Sequence, residues 1–383
     1  MALRLPGIVC GALALAAAGC AEAPPPRPLA LPLAERDTLR TVVKRTFTAY
    51  GVALESGRAL PELTLAFEVY GRLAPDGRNA ILVTHGFTSS HHAAGTYRPG
   101  DPLAGWWNAL IGPGKPIDTD RFFVVSSNML GSSFGSTAPA SVNPATGKPY
   151  GPEFPDITLR DIVAAQKLLL DALGVRHLVA VAGPSFGGYQ AFQWAVTYPD
   201  FVSGVVPVVT APRGSGGEAA VEALIRRFAS DPGWNGGWHY DRGGIPRTML
   251  ALRIETLRRY GMNELLARTL PQPRGRDARI RALARAWARR FDPNSMVVLR
   301  RASVRFDAAR DFGRIRAKVL YVLSRTDRLF PPSLAPGVMD GLARAGVEAR
   351  YVEIDSELGH LASGPEAATW GPALRDFLAT LAP

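Results

Sequence analysis

Cysteine is almost missing from this sequence. Its two copies, Cys10 and Cys20, both fall within the first twenty residues, so the rest of the chain can form no internal disulfide and no thiolate metal centre. Histidine is scarce too, with six copies. A metal site needs three or four converging ligands. The neighbours His91 and His92 would point to different faces of a regular element and have no partner cluster, so no metal is expected. Acidic residues are outnumbered, 33 against 44 Lys and Arg, for a formal net charge of +11. The densest basic stretch, Arg274 to Arg290, carries Ile280, Leu283, Ala284 and Trp287 on one side at helical spacing. That pattern describes an amphipathic helix with a solvated basic face rather than a docking patch. No nucleic-acid motif accompanies it, and no nucleic-acid partner is expected.

A long membrane-spanning run is also lacking. The apolar stretch from Leu5 to Ala18 falls short of the roughly 20 residues a span requires. With Arg4 before it and Ala17-Ala18-Gly19-Cys20 after it, the stretch has the layout of a secretory signal. Its ending resembles a bacterial lipoprotein signal, in which cleavage leaves Cys20 first and lipidated. Export to a bacterial periplasm or cell envelope is therefore expected, with a possible membrane anchor through Cys20. The domain plan is a signal over 1–19, a Pro- and Ala-rich tether over 20–40, a core over 41–211 and 306–383, and an insertion over 212–305.

What is present is alternation. Strands are expected at Leu63–Tyr70, Asn79–Thr84, Phe122–Val125, His177–Ala182 and Val202–Val209, with helices at Thr158–Leu173 and Gly187–Tyr198. Apolar strands alternating with amphipathic helices imply a mostly parallel sheet covered on both faces. From about Pro212 to Arg305 the pattern turns helical and basic. It returns to strands at Lys318–Leu323 and Ala349–Ile354, and a last helix runs over Glu366–Leu381. The fold class is α/β, an α/β-hydrolase fold interrupted by a helical lid.

Gly183-Pro184-Ser185-Phe186-Gly187-Gly188 lies between an apolar strand and a helix. In that setting a serine sits on a strained turn with its hydroxyl above the sheet. The acid and the base follow it in chain order. Asp327 follows the Lys318–Leu323 strand, with Asp355 as runner-up. His360 follows the last strand, whereas His239 lies in the insertion. Ser185 attacks a carbonyl carbon, His360 takes its proton and Asp327 orients the imidazole. The backbone N–H groups of Phe186 and Phe87 are the candidate oxyanion hole, Phe87 from His85-Gly86-Phe87-Thr88. His85 itself is expected to pack or hydrogen-bond. This chemistry calls for no cofactor.

From about Leu63 onward the chain resembles the homoserine O-acetyltransferase-like branch of the α/β-hydrolases. The resemblance rests on Gly105-Trp106-Trp107, Ile111 to Lys115, Ile117 to Arg121, Asn128 to Gly131, Gly135 to Thr137, Asn143 to Tyr150, Arg160-Asp161 with Ala165 to Lys167, and Asp231 to Gly237. It implies an acyl-enzyme that takes an acetyl or succinyl group from coenzyme A and passes it to the hydroxyl of homoserine. It also implies a lid arginine for the acceptor carboxylate, for which Arg226 and Arg227 are the candidates, and a homodimer. The chain departs from the family at Leu361. The family carries an aspartate there that helps bind the acceptor's amino group, and leucine cannot accept from an ammonium. His-Gly-Phe-Thr also replaces the family's usual His-Ala-Leu-Thr.

Three functions follow. The leading expectation is an exported hydrolase of esters or related small acyl compounds, because Leu361 removes the acceptor's partner and water is the abundant acceptor outside the cytoplasm. The alternative is an acyltransferase using acyl-CoA. A non-catalytic envelope protein is third. Trp234, Trp238 and Tyr240 either line an acyl pocket or form the core of the lid.

Overall fold

A computed structural model describes residues 39, 41–101 and 103–381. Cys10, Cys20, the expected export signal and nearly all of the tether lie outside them.

Eight strands form one sheet. They are β1 (Arg45–Ala53), β2 (Ala59–Tyr70), β3 (Ala80–Thr84), β4 (Phe123–Ser127), β5 (Leu178–Pro184), β6 (Val202–Val208), β7 (Lys318–Ser324) and β8 (Ala349–Ile354). Their order across the sheet is β1-β2-β4-β3-β5-β6-β7-β8. The β1–β2 and β2–β4 pairings are antiparallel, and the others are parallel. The central strands are apolar at successive positions because both sheet faces are covered. On β7, Val319, Tyr321 and Leu323 pack into one core, while Leu320 and Val322 pack into the other. That is the two-residue period of a strand buried on both sides.

Helix α1 (Leu159–Ala172) starts at a capping box, in which Thr158 accepts from the Asp161 amide and the Asp161 side chain accepts from the Thr158 amide. It packs on α2 (Phe186–Thr197), which follows β5 directly. Helices α3 (Gly217–Ala229), α4 (Pro246–Tyr260), α5 (Met262–Ala267), α6 (Pro273–Ala288) and α7 (Pro293–Val304) stand between β6 and β7. α4 and α6 share a small core of Ile254, Leu257, Ile280 and Ala284. The basic face of α6 is exposed at Arg274, Arg279, Arg281 and Arg285. α8 (Ala335–Arg344) precedes β8, and α9 (Ala367–Ala379) covers the second face of the sheet.

The sequence pattern does not announce β1. It is an edge strand with Phe47 as its buried residue, so its alternation is faint.

Candidate active site

Ser185 occupies the one-residue turn between β5 and α2, at φ 58° and ψ −122°. A non-glycine residue held there costs on the order of 1–3 kcal/mol. Its surroundings enforce the conformation. The Ser185 amide donates to the Val208 carbonyl at 2.8 Å, and the Thr210 hydroxyl donates to the Ser185 carbonyl at 2.7 Å. The flanking glycines have steric reasons. A Cβ at Gly187 would stand 2.3 Å from the Thr84 carbonyl oxygen, and one at Gly188 would stand 2.3 Å from Thr210 Cγ2. Strand β3 and the Thr210 turn thus approach too closely for side chains.

Asp327 and His360 come from the loops after β7 and β8. His360 Nδ1 lies 2.8 Å from Asp327 Oδ2. The other carboxylate oxygen accepts from the amides of Leu329 at 2.8 Å and Phe330 at 3.3 Å. Asp327 is therefore fixed by three donors while fully desolvated, which a carboxylate tolerates only when so paired. The imidazole lies between the rings of Tyr260, with centroids 4.8 Å apart, and Phe330, at 5.7 Å. With Nδ1 committed to Asp327, Nε2 is the nitrogen left for a nucleophile. Asp355, the runner-up acid, pairs instead with Arg325 at 2.6 Å on the surface. His239 binds Asp292 at 3.0 Å inside the insertion.

The loop after β3 runs beside the nucleophile, since a Cβ at Gly86 would lie 3.6 Å from Ser185 Cβ. Among the described residues, neither the Phe87 nor the Phe186 amide has an acceptor. Two open N–H groups beside a serine suit a developing oxyanion. His85 braces this loop. The Met129 amide donates to its Nε2 at 3.1 Å, so Nδ1 carries the proton and donates to the Gly86 carbonyl at 2.9 Å. Burial pushes its pKa down to about 4.

The structure gives several sequence-derived candidates partners outside the triad. Arg226 pairs with Glu222 at 3.3 Å, and Arg227 makes a two-pronged contact with Glu255 at 2.7 Å. Both guanidinium groups are held by carboxylates near solvent. Trp234 is buried against Phe228 and His239, and the Tyr240 hydroxyl donates to Asp292. These two aromatics pack inside the insertion, and Trp234 also lines a cavity beside Ile225 and Val298. Leu361 follows His360 and is partly exposed. His91 and His92 also correct an expectation. They sit on an irregular loop and both turn toward buried Glu68, at 3.7 and 3.2 Å. Among the described residues no group of three or more His, Cys, Asp or Glu could hold a metal.

The sequence pattern alone does not single out Arg253, Tyr260 or Thr88 as neighbours of the site. Arg253 Nη1 donates to the Thr88 hydroxyl at 2.8 Å, and its guanidinium lies 4.9 Å over the Trp287 ring. Its Nε is sealed from solvent without an acceptor, and burial lowers its pKa. Trp287 Nε1 donates to the Thr88 carbonyl at 3.0 Å. Arg253 is thus a partly buried cation, clasped to the loop after β3, with one N–H that has no acceptor among the described residues. The signal was there in the sequence. Arg253 falls in register with Met249 and Leu257, in the apolar stripe of α4, where a charge is out of place.

This geometry has known counterparts. The family description "alpha/beta hydrolase fold" matches residues 79–366. Homoserine O-acetyltransferase of Symbiobacterium thermophilum is 42% identical over 332 residues, which is 81% of this chain and 87% of that protein. Among solved structures, esterase E22 superposes with a TM-score of 0.81 at 32% identity, over 88% of this chain and all of that one. Homoserine O-acetyltransferase from Bacillus anthracis superposes with a TM-score of 0.80 at 28% identity, over 88% of this chain and 98% of that one. The chain is an α/β-hydrolase-fold enzyme of acyl transfer, and it belongs to the homoserine O-acetyltransferase-like family.

Proposed function

We propose that this chain transfers an acyl group from a thioester, through acyl-Ser185, to the hydroxyl of a small anionic acceptor of the homoserine class. The observation that carries the proposal is Arg253, a partly buried guanidinium on Thr88 whose Nε has no acceptor. The 42% identity to a homoserine O-acetyltransferase supports the same reading.

In the first half-reaction Ser185 Oγ bonds to the acyl carbon while its proton passes to His360 Nε2. The thioester C–S bond then breaks and the thiolate takes that proton. In the second, the acceptor hydroxyl gives its proton to His360 as its oxygen bonds to the acyl carbon. The Ser185 ester bond breaks and the serine recovers the proton. Asp327 holds the imidazole and stabilises its charged form, and the Phe87 and Phe186 amides hold the oxyanion. Arg253 positions the acceptor through its carboxylate.

Hydrolysis is the second reading, and Leu361 favours it, because that residue offers no acceptor for an ammonium. Similarity to esterase E22 also supports it. Export would favour it further, since coenzyme A is scarce outside the cytoplasm. Fatty-acid labelling that disappears in Cys20→Ala tests the proposed lipid anchor. The decisive assay incubates the protein with acetyl-CoA, with and without L-homoserine, using Ser185→Ala as control. Homoserine-dependent release of coenzyme A is expected. Turnover of p-nitrophenyl acetate with no such release would make the enzyme a hydrolase.

A further inference from the structure

By its pattern α6 is a helix with a solvated basic face. Two observations go beyond that pattern. The first is where the charge lies. Residues 212–305 hold nineteen arginines, no lysine and eight acidic residues, whereas the remainder of the chain carries 25 residues of each sign. The whole formal net charge of +11 thus belongs to the insertion. The second is how that charge is arranged. Arg274, Arg281, Arg285 and Arg289 are exposed and spaced seven, four and four apart, so they form one row about 22 Å long, on the side of α6 away from Ile280, Ala284 and Trp287. Among the described residues no carboxylate pairs with any of the four, and Asp277, the one acidic residue of α6, is taken by Arg258 at 2.8 Å. Other arginines of the insertion, such as Arg227, Arg268 and Arg305, each hold a carboxylate. The C-terminal end of the row lies beside the start of the described chain. Lys44 Nζ donates to the Phe134 carbonyl at 2.8 Å, and the Arg290 guanidinium lies 5.1 Å over the Phe134 ring. Both cations are exposed and add to the charge at that end.

We infer that this arginine row docks the protein on a bilayer surface rich in anionic phospholipid. Guanidinium groups with no carboxylate of their own fit a plane of phosphodiesters, whose oxygens accept from the planar fork. The residues leading back to Cys20, the proposed lipid anchor, join the described chain at the end of the row, so anchor and row serve one surface. The row acts by charge and does not require the anchor, nor does it depend on the acyl acceptor of Ser185. Nucleic acid is the competing polyanion. No large exposed apolar side chain interleaves the row, whereas a single strand calls for aromatics on which its bases stack.

Co-sedimentation with vesicles tests it, using the full chain with Cys20→Ala so that no attached lipid contributes. Vesicles of phosphatidylcholine containing phosphatidylglycerol should bind it far more tightly than phosphatidylcholine alone, with the preference shrinking as salt rises. Each arginine lost from the row is expected to weaken that binding roughly fivefold, and the quadruple variant Arg274→Gln, Arg281→Gln, Arg285→Gln, Arg289→Gln about a hundredfold or more. A control quadruple, Arg72→Gln, Arg78→Gln, Arg176→Gln, Arg350→Gln, removes the same charge from exposed positions outside the insertion and should bind nearly as the parent does. Both quadruple variants should keep the parent's unfolding midpoint and its turnover of p-nitrophenyl acetate. Absence of any preference for phosphatidylglycerol overturns the inference. Equal weakening in the two quadruple variants also overturns it, since the attraction is then one of net charge and not of the row. Duplex DNA is titrated in parallel. Loss of DNA binding in the row variant with vesicle binding intact assigns the row to nucleic acid and overturns the inference as well.

Discussion

Under the proposed function, Arg253 and Leu361 pull the chemistry in opposite directions. Replacing Arg253 with methionine keeps the packing on Trp287 and removes the charge. A charge-assisted hydrogen bond contributes about 1.5–3 kcal/mol. The KM for homoserine should therefore rise roughly tenfold to a hundredfold, with hydrolysis of p-nitrophenyl acetate much less affected. Steady-state kinetics with both substrates checks this, and an unchanged homoserine KM would remove Arg253 from acceptor binding. Leu361→Asp supplies an acceptor for the ammonium. The ratio of transfer to hydrolysis should rise about tenfold or more, measured as O-acetylhomoserine formed per acetate released. The nucleophile, acid and base candidates were legible in the sequence because each follows a strand in fixed chain order. Arg253 was not, since it stands among Arg247, Arg258 and Arg259 and only its register with Met249 and Leu257 distinguishes it. Proximity of Arg226 and Arg227 to the Asp231–Gly237 segment does not reveal that both pair with carboxylates, Glu222 and Glu255.

At the scale of elements, the turn from β5 into α2 is the tightest joint. Gly187→Ala drives a methyl to 2.3 Å from the Thr84 carbonyl, a backbone atom that cannot yield. A loss of about 3 kcal/mol or more is expected, read as a lower urea midpoint. Gly337→Ala in α8 meets nothing within 4 Å and should be neutral or stabilising by about 0.5–1 kcal/mol. Similar effects at the two positions would refute the steric account. The central strands were readable because burial on both faces makes them continuously apolar. β1 escaped because it lies at the sheet's edge with one face open to solvent. The insertion was recognisable as helical, but the pairing of α4 with α6 depends on tertiary packing that periodicity does not encode.

For the whole molecule, buried neutral histidines set an acid limit. Burial lowers His85 to about 4 and His91 to about 3, from the ordinary 6.5. The unfolded chain therefore binds protons that the folded one refuses. The stability these two contribute is complete above pH 6.5 and is lost as pH falls through 4 and then 3. Each steepens the decline by about 1.4 kcal/mol per pH unit within that window. Urea midpoints measured from pH 7.5 to 4 should fall accordingly, and the fall should lessen in His91→Gln. A flat profile would contradict the buried neutral state.

The double grip on Thr88, from Arg253 of α4 and Trp287 of α6, has a consequence for how such a chain diversifies. The loop beside the nucleophile is built half by the sheet and half by the insertion. A chimera that brings in an unrelated insertion loses both clasps and leaves that loop unsupported. Exchange of the insertion as a unit is therefore expected to cost activity, whereas point changes along α4 that spare Arg253 keep both clasps.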